Sequence, residues 1–110
     1  MVDVAIIGGG VIGAFCAREL RKYAISVAVL EGAEDVAAGA SKANSGIVHA
    51  GFDAAEGSLK ARYNVAGSRM MATVCEELGV GYENNGSLVL AFDEAQIGIL
   101  ETLLARGRAN

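Results

Sequence analysis

Apolar and polar positions are sharply organised over the first thirty residues. Residues 2–7 form a short, mostly apolar run that ends in Gly8-Gly9-Gly10, the pattern of a buried strand entering a tight turn. Residues 11–23 then place Ile12, Phe15, Cys16 and Leu20 at helical spacing. Arg18, Glu19, Arg21 and Lys22 fill the other positions, and basic residues late in a helix suit the negative end of its dipole. Residues 26–30 are a second apolar, β-branched run, closed by Glu31. Strand, glycine turn, helix and strand predict a βαβ unit. Its strands, 2–7 and 26–31, are expected to be adjacent and parallel, with a right-handed crossover through helix 11–23.

Residues 32–57 have neither period for most of their length and are rich in Gly, Ala, Ser and Asn. A connection this long inside a compact domain is usually functional or disordered. Ile47-Val48 and the single His49 favour an ordered, functional loop. Ser58 then reads as the N-cap of a helix to Leu78, with Leu59, Tyr63, Ala66, Met70, Val74 and Leu78 at spacings of three or four and Gly79 as its stop. Residues 80–83 and 87–92 read as two strands around the turn Asn84-Asn85-Gly86. Asp93 with Gln96 three residues on is a capping-box-like start for a last helix. Leu100, Leu103 and Leu104 supply its apolar side, and Gly107 its expected stop. No internal repeat is present.

Composition sharpens this picture. Apolar residues make up 53% of the 110, which is rich for a small chain and predicts packing against further protein. Fifteen glycines without a proline fit tight turns and close backbone approach to a ligand. A net charge of −4 argues against a nucleic-acid surface, which needs a basic patch. Cys16 and Cys75 lie far apart and form no metal-like cluster; both are expected to be buried free thiols, in keeping with a reducing compartment. Residues 4–17 are uncharged but shorter than the ~18 residues of a spanning helix, are interrupted by glycines and follow Asp3, so neither a membrane span nor a signal peptide is read there.

Gly8-x-Gly10-x-x-Gly13 is weak evidence alone, but here it follows a strand, opens a helix and is answered by an acid at the end of the next strand. Gly8 permits the turn. Gly10 leaves room for a pyrophosphate at the helix start, where the N–H groups of Val11 and Ile12 and the dipole favour an anion. Gly13 allows helix and strand to approach. Glu31 can accept hydrogen bonds from adenosine ribose hydroxyls, and an acid there disfavours a 2′-phosphate and hence NADP. The βαβ unit alone does not choose between NAD and FAD. The long polar loop that follows, in place of another helix and strand, favours the longer cofactor.

The stretch Ala38-Gly39-Ala40-Ser41-Lys42-Ala43-Asn44-Ser45-Gly46-Ile47-Val48-His49-Ala50-Gly51 resembles the flavin-proximal loop of D-amino-acid-oxidase-like FAD oxidoreductases. Within that superfamily it looks most like FAD-dependent glycerol-3-phosphate dehydrogenases and oxidases. Residues 57–64 and 87–92 look similar to the same group, and L-2-hydroxyglutarate oxidases share much of the loop pattern. The resemblance implies an α/β fold. Residues 1–79 would be the N-terminal βαβ part of a glutathione-reductase-like FAD-binding Rossmann fold, and residues 80–110 the start of an α+β substrate domain. It implies FAD as cofactor and hydride transfer from a hydroxyl-bearing carbon to flavin N5, with glycerol 3-phosphate or a 2-hydroxy acid as substrate. His49 aligns with a histidine that accepts the substrate hydroxyl proton; Ser41, Ser45 and Gly46 align with flavin- or substrate-contacting positions. A structural loop histidine and a covalent flavin attachment point are the other readings of His49. Lys42, Lys60 and Arg62 are candidates to hold an anionic substrate, although solvated surface is their commoner role. The chain is short for that group, and the later FAD-sheet strands and the groups that hold a phosphate are missing. The expectation is therefore a fragment, inactive by itself, that packs on the remainder of the protein or self-associates; the alternative from another class is a non-catalytic dinucleotide-binding module or an inert fragment. The expected setting is cytoplasmic or peripheral to a membrane.

Overall fold

The computed structural model describes residues 1–110, which divide into two compact units, Met1–Ile47 and Val48–Asn110. In the first unit, β1 (Val4–Ile7), α1 (Val11–Leu20) and β2 (Val27–Leu30) form the expected βαβ unit. The strands pair in parallel, with Val4 opposite Val27 and Ile7 opposite Leu30. Both ends of the pair are fastened. At the start, Asp3 accepts hydrogen bonds from the Ser26 N–H (2.8 Å) and hydroxyl (2.6 Å), while its own N–H donates to Ser26 Oγ (3.0 Å). These bonds, led by the hydroxyl, hold the Asp3 carboxyl below its ordinary pKa. At the far end Gly8 N–H reaches the Leu30 carbonyl at 2.7 Å, carrying the ladder one residue beyond the strands. A one-residue slip would exchange the two faces, so bonds at both ends define the register.

Gly13 is the one buried residue of α1. A Cβ there would lie 2.1 Å from the Gly8 carbonyl oxygen, so any side chain would force helix and strand apart. The helix stops at Leu20, short of the expected Tyr23. The N–H groups of Lys22 and Tyr23 bond to carbonyls three residues back, which tightens the end into a 3₁₀-type turn. Cys16 is exposed, not buried as expected, because the α1 face that carries it is uncovered; Ile12 is likewise 79% exposed.

In the second unit α2 (Leu59–Leu78) starts and stops where its caps dictate. Ser58 Oγ accepts from the Ala61 N–H at 3.1 Å, and Gly79 adopts the left-handed C-cap conformation with φ 65°. The helical period holds, but the burial expected for its apolar line does not. Leu59, Tyr63, Met70 and Leu78 are exposed, and the core consists of Ala54, Ala61, Val74 and Cys75. Residues 80–83 and 87–92 are not strands. A ribbon this short is marginal without a sheet or helix to cover its apolar face, and here Leu88 (89% exposed) and Phe92 (85%) have no cover.

Asp93 caps a single 3₁₀ turn, Glu94–Gln96, with Oδ1 accepting the Gln96 N–H at 3.0 Å; Gln96 Oε1 in return accepts the Phe92 N–H at 3.0 Å. α3 (Ile97–Ala109) continues through Gly107, which was expected to end it. Gly107 serves a close approach instead: a Cβ there would be 3.3 Å from the Phe52 Cβ. No helix is long and apolar enough to cross a membrane.

Candidate functional site

The turn after β1 is built from backbone groups and closed by side chains brought from later in the chain. Gly8 has φ +103°, a conformation that L side chains rarely adopt, and the space beside its missing Cβ is open. Glu31, at the end of β2, straps the turn: Oε2 accepts the Gly9 N–H at 2.7 Å and Oε1 the Ala33 N–H at 2.9 Å. The bond from Ala33 first, then that from Gly9, holds the Glu31 carboxyl below its ordinary pKa.

The polar loop folds back onto the same turn. Ala37 N–H donates to the Gly9 carbonyl at 3.1 Å, and Val36 lies so near that a Cβ on Gly9 would be 3.0 Å from its Cγ1. Ser41 Oγ accepts the Val11 N–H at 2.8 Å, thirty residues away in sequence. One of the helix-start donors is thereby satisfied. Gly10 faces this serine, and a Cβ there would be 3.1 Å from Ser41 Oγ. Asn44 organises the next turn: its amide donates to the Ser41 carbonyl and its Oδ1 accepts the Gly46 N–H at 2.7 Å. Gly46 has φ +68°, and Ser45 and Gly46 are both exposed.

The structure thus gathers Gly8, Gly10, Val11, Gly13, Glu31 and Ser41 around one turn, with Ile12 in the first turn of the helix. Sequence reasoning missed Asn44 and the Asp3–Ser26 clasp. Asn44 stands inside the polar loop, and an Asn two residues before a glycine is a recognisable turn signal. Asp3 and Ser26 offer no local signal of their pairing. His49 belongs to the second unit and is exposed. Nearby in sequence, Asp53 pairs with Lys60 at 3.3 Å. That lysine is the main reason the Asp53 carboxyl is held below its ordinary pKa, with His49 the smallest contributor. Lys60 is therefore already engaged, and the Arg62 guanidinium lies 5.6 Å from the Tyr63 ring centroid. No group of three or more His, Cys, Asp or Glu could hold a metal.

This turn suits a diphosphate. An α-helix leaves its first N–H groups without intrahelical acceptors; the Val11 N–H, expected to face the anion, is taken by Ser41, so the partial positive charge that attracts an anion rests on the N–H groups of the next residues. Bare glycines at residues 8 and 10 leave the approach open, and a Cβ at residue 10 would narrow it. A parallel βαβ unit with this turn and an acid at the end of the second strand defines a dinucleotide-binding protein. Residues 3–110 match the FAD dependent oxidoreductase family, and the chain belongs to it.

The chain is 49% identical over 110 residues to a glycerol 3-phosphate dehydrogenase of Caloramator mitchellensis, covering 100% of this chain and 23% of that protein. It is 38% identical to the mitochondrial L-2-hydroxyglutarate dehydrogenase of Dictyostelium discoideum, over 98% of this chain and 25% of that one. Among solved structures it resembles the dithionite-reduced L-α-glycerophosphate oxidase of Mycoplasma pneumoniae with FAD bound. The TM-score is 0.85 at 35% identity, over 98% of this chain and 28% of that chain. The chain therefore spans about a quarter of the length of the relatives it matches. The family and the FAD-bound neighbour establish the expected α/β FAD-binding fold and FAD as its cofactor.

Proposed function

We propose that residues 1–110 are the N-terminal, FAD-holding part of an oxidoreductase that converts glycerol 3-phosphate to dihydroxyacetone phosphate. The observation that carries this reading is the glycine turn strapped by Glu31 and Ser41 in a chain 49% identical to a glycerol 3-phosphate dehydrogenase. Residues 1–79 contribute to the FAD domain and residues 80–110 open the substrate domain. The remainder of that domain supplies the groups that hold the phosphate. On this reading the protein is cytoplasmic or peripheral to a membrane.

Gly8, Gly10, Val11, Ile12 and Gly13 would accommodate the FAD diphosphate. Glu31 would take the adenosine ribose, and Ser41, Ser45 and Gly46 would line the flavin side. Bound FAD supplies the two-electron acceptor for the hydrogen that leaves the hydroxyl-bearing carbon with its electron pair. His49 accepts the hydroxyl proton on its neutral imidazole as the C–O single bond becomes a carbonyl. Imidazole suits this because its basicity lies near neutral pH. Glu31 and Ser41 each have a second role. They hold the turn in shape, so the cofactor meets a formed site instead of having to order it.

A second reading is oxidation of L-2-hydroxyglutarate or a similar 2-hydroxy acid, favoured by 38% identity to an L-2-hydroxyglutarate dehydrogenase. The chemistry at the hydroxyl-bearing carbon is the same, and only the anion that anchors the substrate differs. Anaerobic mixing of the purified flavoprotein with each compound separates them. Bleaching of the flavin by glycerol 3-phosphate, and not by L-2-hydroxyglutarate, is the expected result. The reverse would move the assignment to the 2-hydroxy acid, and bleaching by neither would refute both.

A further inference from the structure

The turn that follows His49 is held more tightly than its loop sequence implies. Gly51 is buried and has φ +93°. A Cβ built on it would lie 2.6 Å from Val65 Cγ2 and 3.3 Å from Asn64 Oδ1, both on α2. That Asn64 oxygen is itself buried without a hydrogen-bond partner, and the 2.6 Å approach to Val65 leaves no room for an added methyl group unless the helix or the turn shifts. From the other side, Asn110 Nδ2 donates to the carbonyls of Gly51 (2.9 Å) and Ala54 (3.0 Å). Ala54 is among the few buried apolar residues of the unit, at 2% exposure. The backbone at Gly51 is therefore fixed between the side of α2 and the end of α3.

We infer that Gly51 is a positioning residue. Its bare, left-handed backbone seated on Val65 sets where His49, two residues earlier, presents its imidazole. This rests on the reading of His49 as the proton acceptor. Residues 46–50 have no secondary structure of their own, so the nearest fixed point on the C-terminal side of His49 is this Gly51 contact. Gly51→Ala imposes two penalties there: a strained φ for an L residue and a methyl group inside contact distance of Val65. The turn must lift from α2 and carry the His49 backbone with it. Displacement of a reacting group by about 1 Å can cost on the order of a hundredfold in rate. The residues assigned to the FAD diphosphate and ribose lie in the other unit, so bound flavin should be retained.

The test is anaerobic stopped-flow reduction of the complete holoenzyme carrying these residues, using whichever substrate bleaches the wild-type flavin and normalising rates to bound flavin. Gly51→Ala should lower the limiting reduction rate at least tenfold, with a much smaller change in the substrate concentration for half-maximal rate. Val65→Ala in the same protein should recover part of that loss, because no other Val65 side-chain atom lies within 3.8 Å of where the added methyl would sit. A purely structural glycine predicts less holoenzyme but an unchanged normalised rate, and that result would overturn the inference. If Gly51→Ala yields no flavoprotein, Asn110→Ala decides: a threefold or larger fall in normalised rate supports the inference, and an unchanged rate overturns it. His49→Ala, run in parallel, separates the two claims. Slow reduction by His49→Ala with normal reduction by the Gly51 or Asn110 variant removes the positioning role alone. Normal reduction by His49→Ala removes the base assignment itself.

Discussion

Two glycine turns in this chain read alike and fold differently. Gly8-Gly9-Gly10 and Asn84-Asn85-Gly86 each sit between apolar runs, and each contains a glycine with positive φ, +103° at Gly8 and +73° at Gly86. The first leads into a paired sheet; the second is flanked by residues that pair with nothing. A positive φ is thus present in both, but residues 84–86 form neither a turn nor a bend, and pairing is decided elsewhere. Around the first turn, Glu31 bonds to Gly9, Ser41 to Val11, and Asp3 to Ser26 at the opposite end of the strands. Around the second, Leu88 and Phe92 remain exposed.

The severest way to break this contrast is Gly13→Ala. The added Cβ meets the Gly8 carbonyl at 2.1 Å, and neither backbone can yield without separating α1 from β1. Overpacking of this kind costs up to about 3 kcal/mol or more. FAD affinity should fall about a hundredfold or beyond, measured as flavin retained through dialysis. Full retention would show that the helix and strand need not approach so closely.

Glu31→Gln sharpens the same side of the comparison. It removes the charge that accepts from Gly9 and Ala33 and turns one acceptor into a donor facing an N–H group. FAD binding should weaken roughly ten- to a hundredfold, the range for losing a hydrogen bond to a charged group, by fluorescence titration. There is also a pH signature. The Glu31 carboxyl is held below its ordinary pKa in the folded protein, so its contribution to stability is complete above the unfolded-state value. It is lost as pH falls through the lower folded-state value. Wild type should therefore lose stability over that acid window more steeply than Glu31→Gln, as followed by thermal melts across pH. Identical acid profiles would mean that the strap does not contribute to folding.

The smallest effect is expected at the second turn. Replacing Leu88 and Phe92 by serine should leave far-UV circular dichroism of the 110-residue chain unchanged. If the chain self-associates through these side chains, sedimentation should show that association weakened about tenfold, which corresponds to about 1.4 kcal/mol and so to partial burial of side chains that can each contribute ~1.5–3 kcal/mol when fully buried. Loss of secondary structure in that variant would mean that the two residues already hold the fold together.

What could be read from sequence follows the same division. The βαβ unit was legible because every signal for it is local: two apolar runs, a glycine turn, a helical period and a closing acid. The caps of α2, Ser58 and Gly79, were legible for the same reason. Residues 80–83 and 87–92 misled because apolar residues beside an Asn-Asn-Gly turn signal record only a tendency, while a strand requires a partner. Gly107 misled because glycine marks both helix ends and close contacts, and here Phe52 takes the second use. The Asp3–Ser26 clasp and the Ser41–Val11 bond span 23 and 30 residues, and no local pattern announces such pairs. Of the candidate site, the place of the glycines and Glu31 around one turn was legible, but not the part that Glu31 and Ser41 play in closing it.

The role proposed for His49 is to accept the substrate hydroxyl proton in an FAD-dependent oxidation. It is tested most directly by anaerobic stopped-flow reduction of His49→Ala in the complete holoenzyme, with glycerol 3-phosphate as reductant and the rate normalised to bound flavin. Removal of a general base typically costs about 10²–10⁴-fold. A loss of that size is expected with FAD still bound. A normalised rate within a few-fold of wild type would contradict that role and leave His49 as a structural residue of its loop.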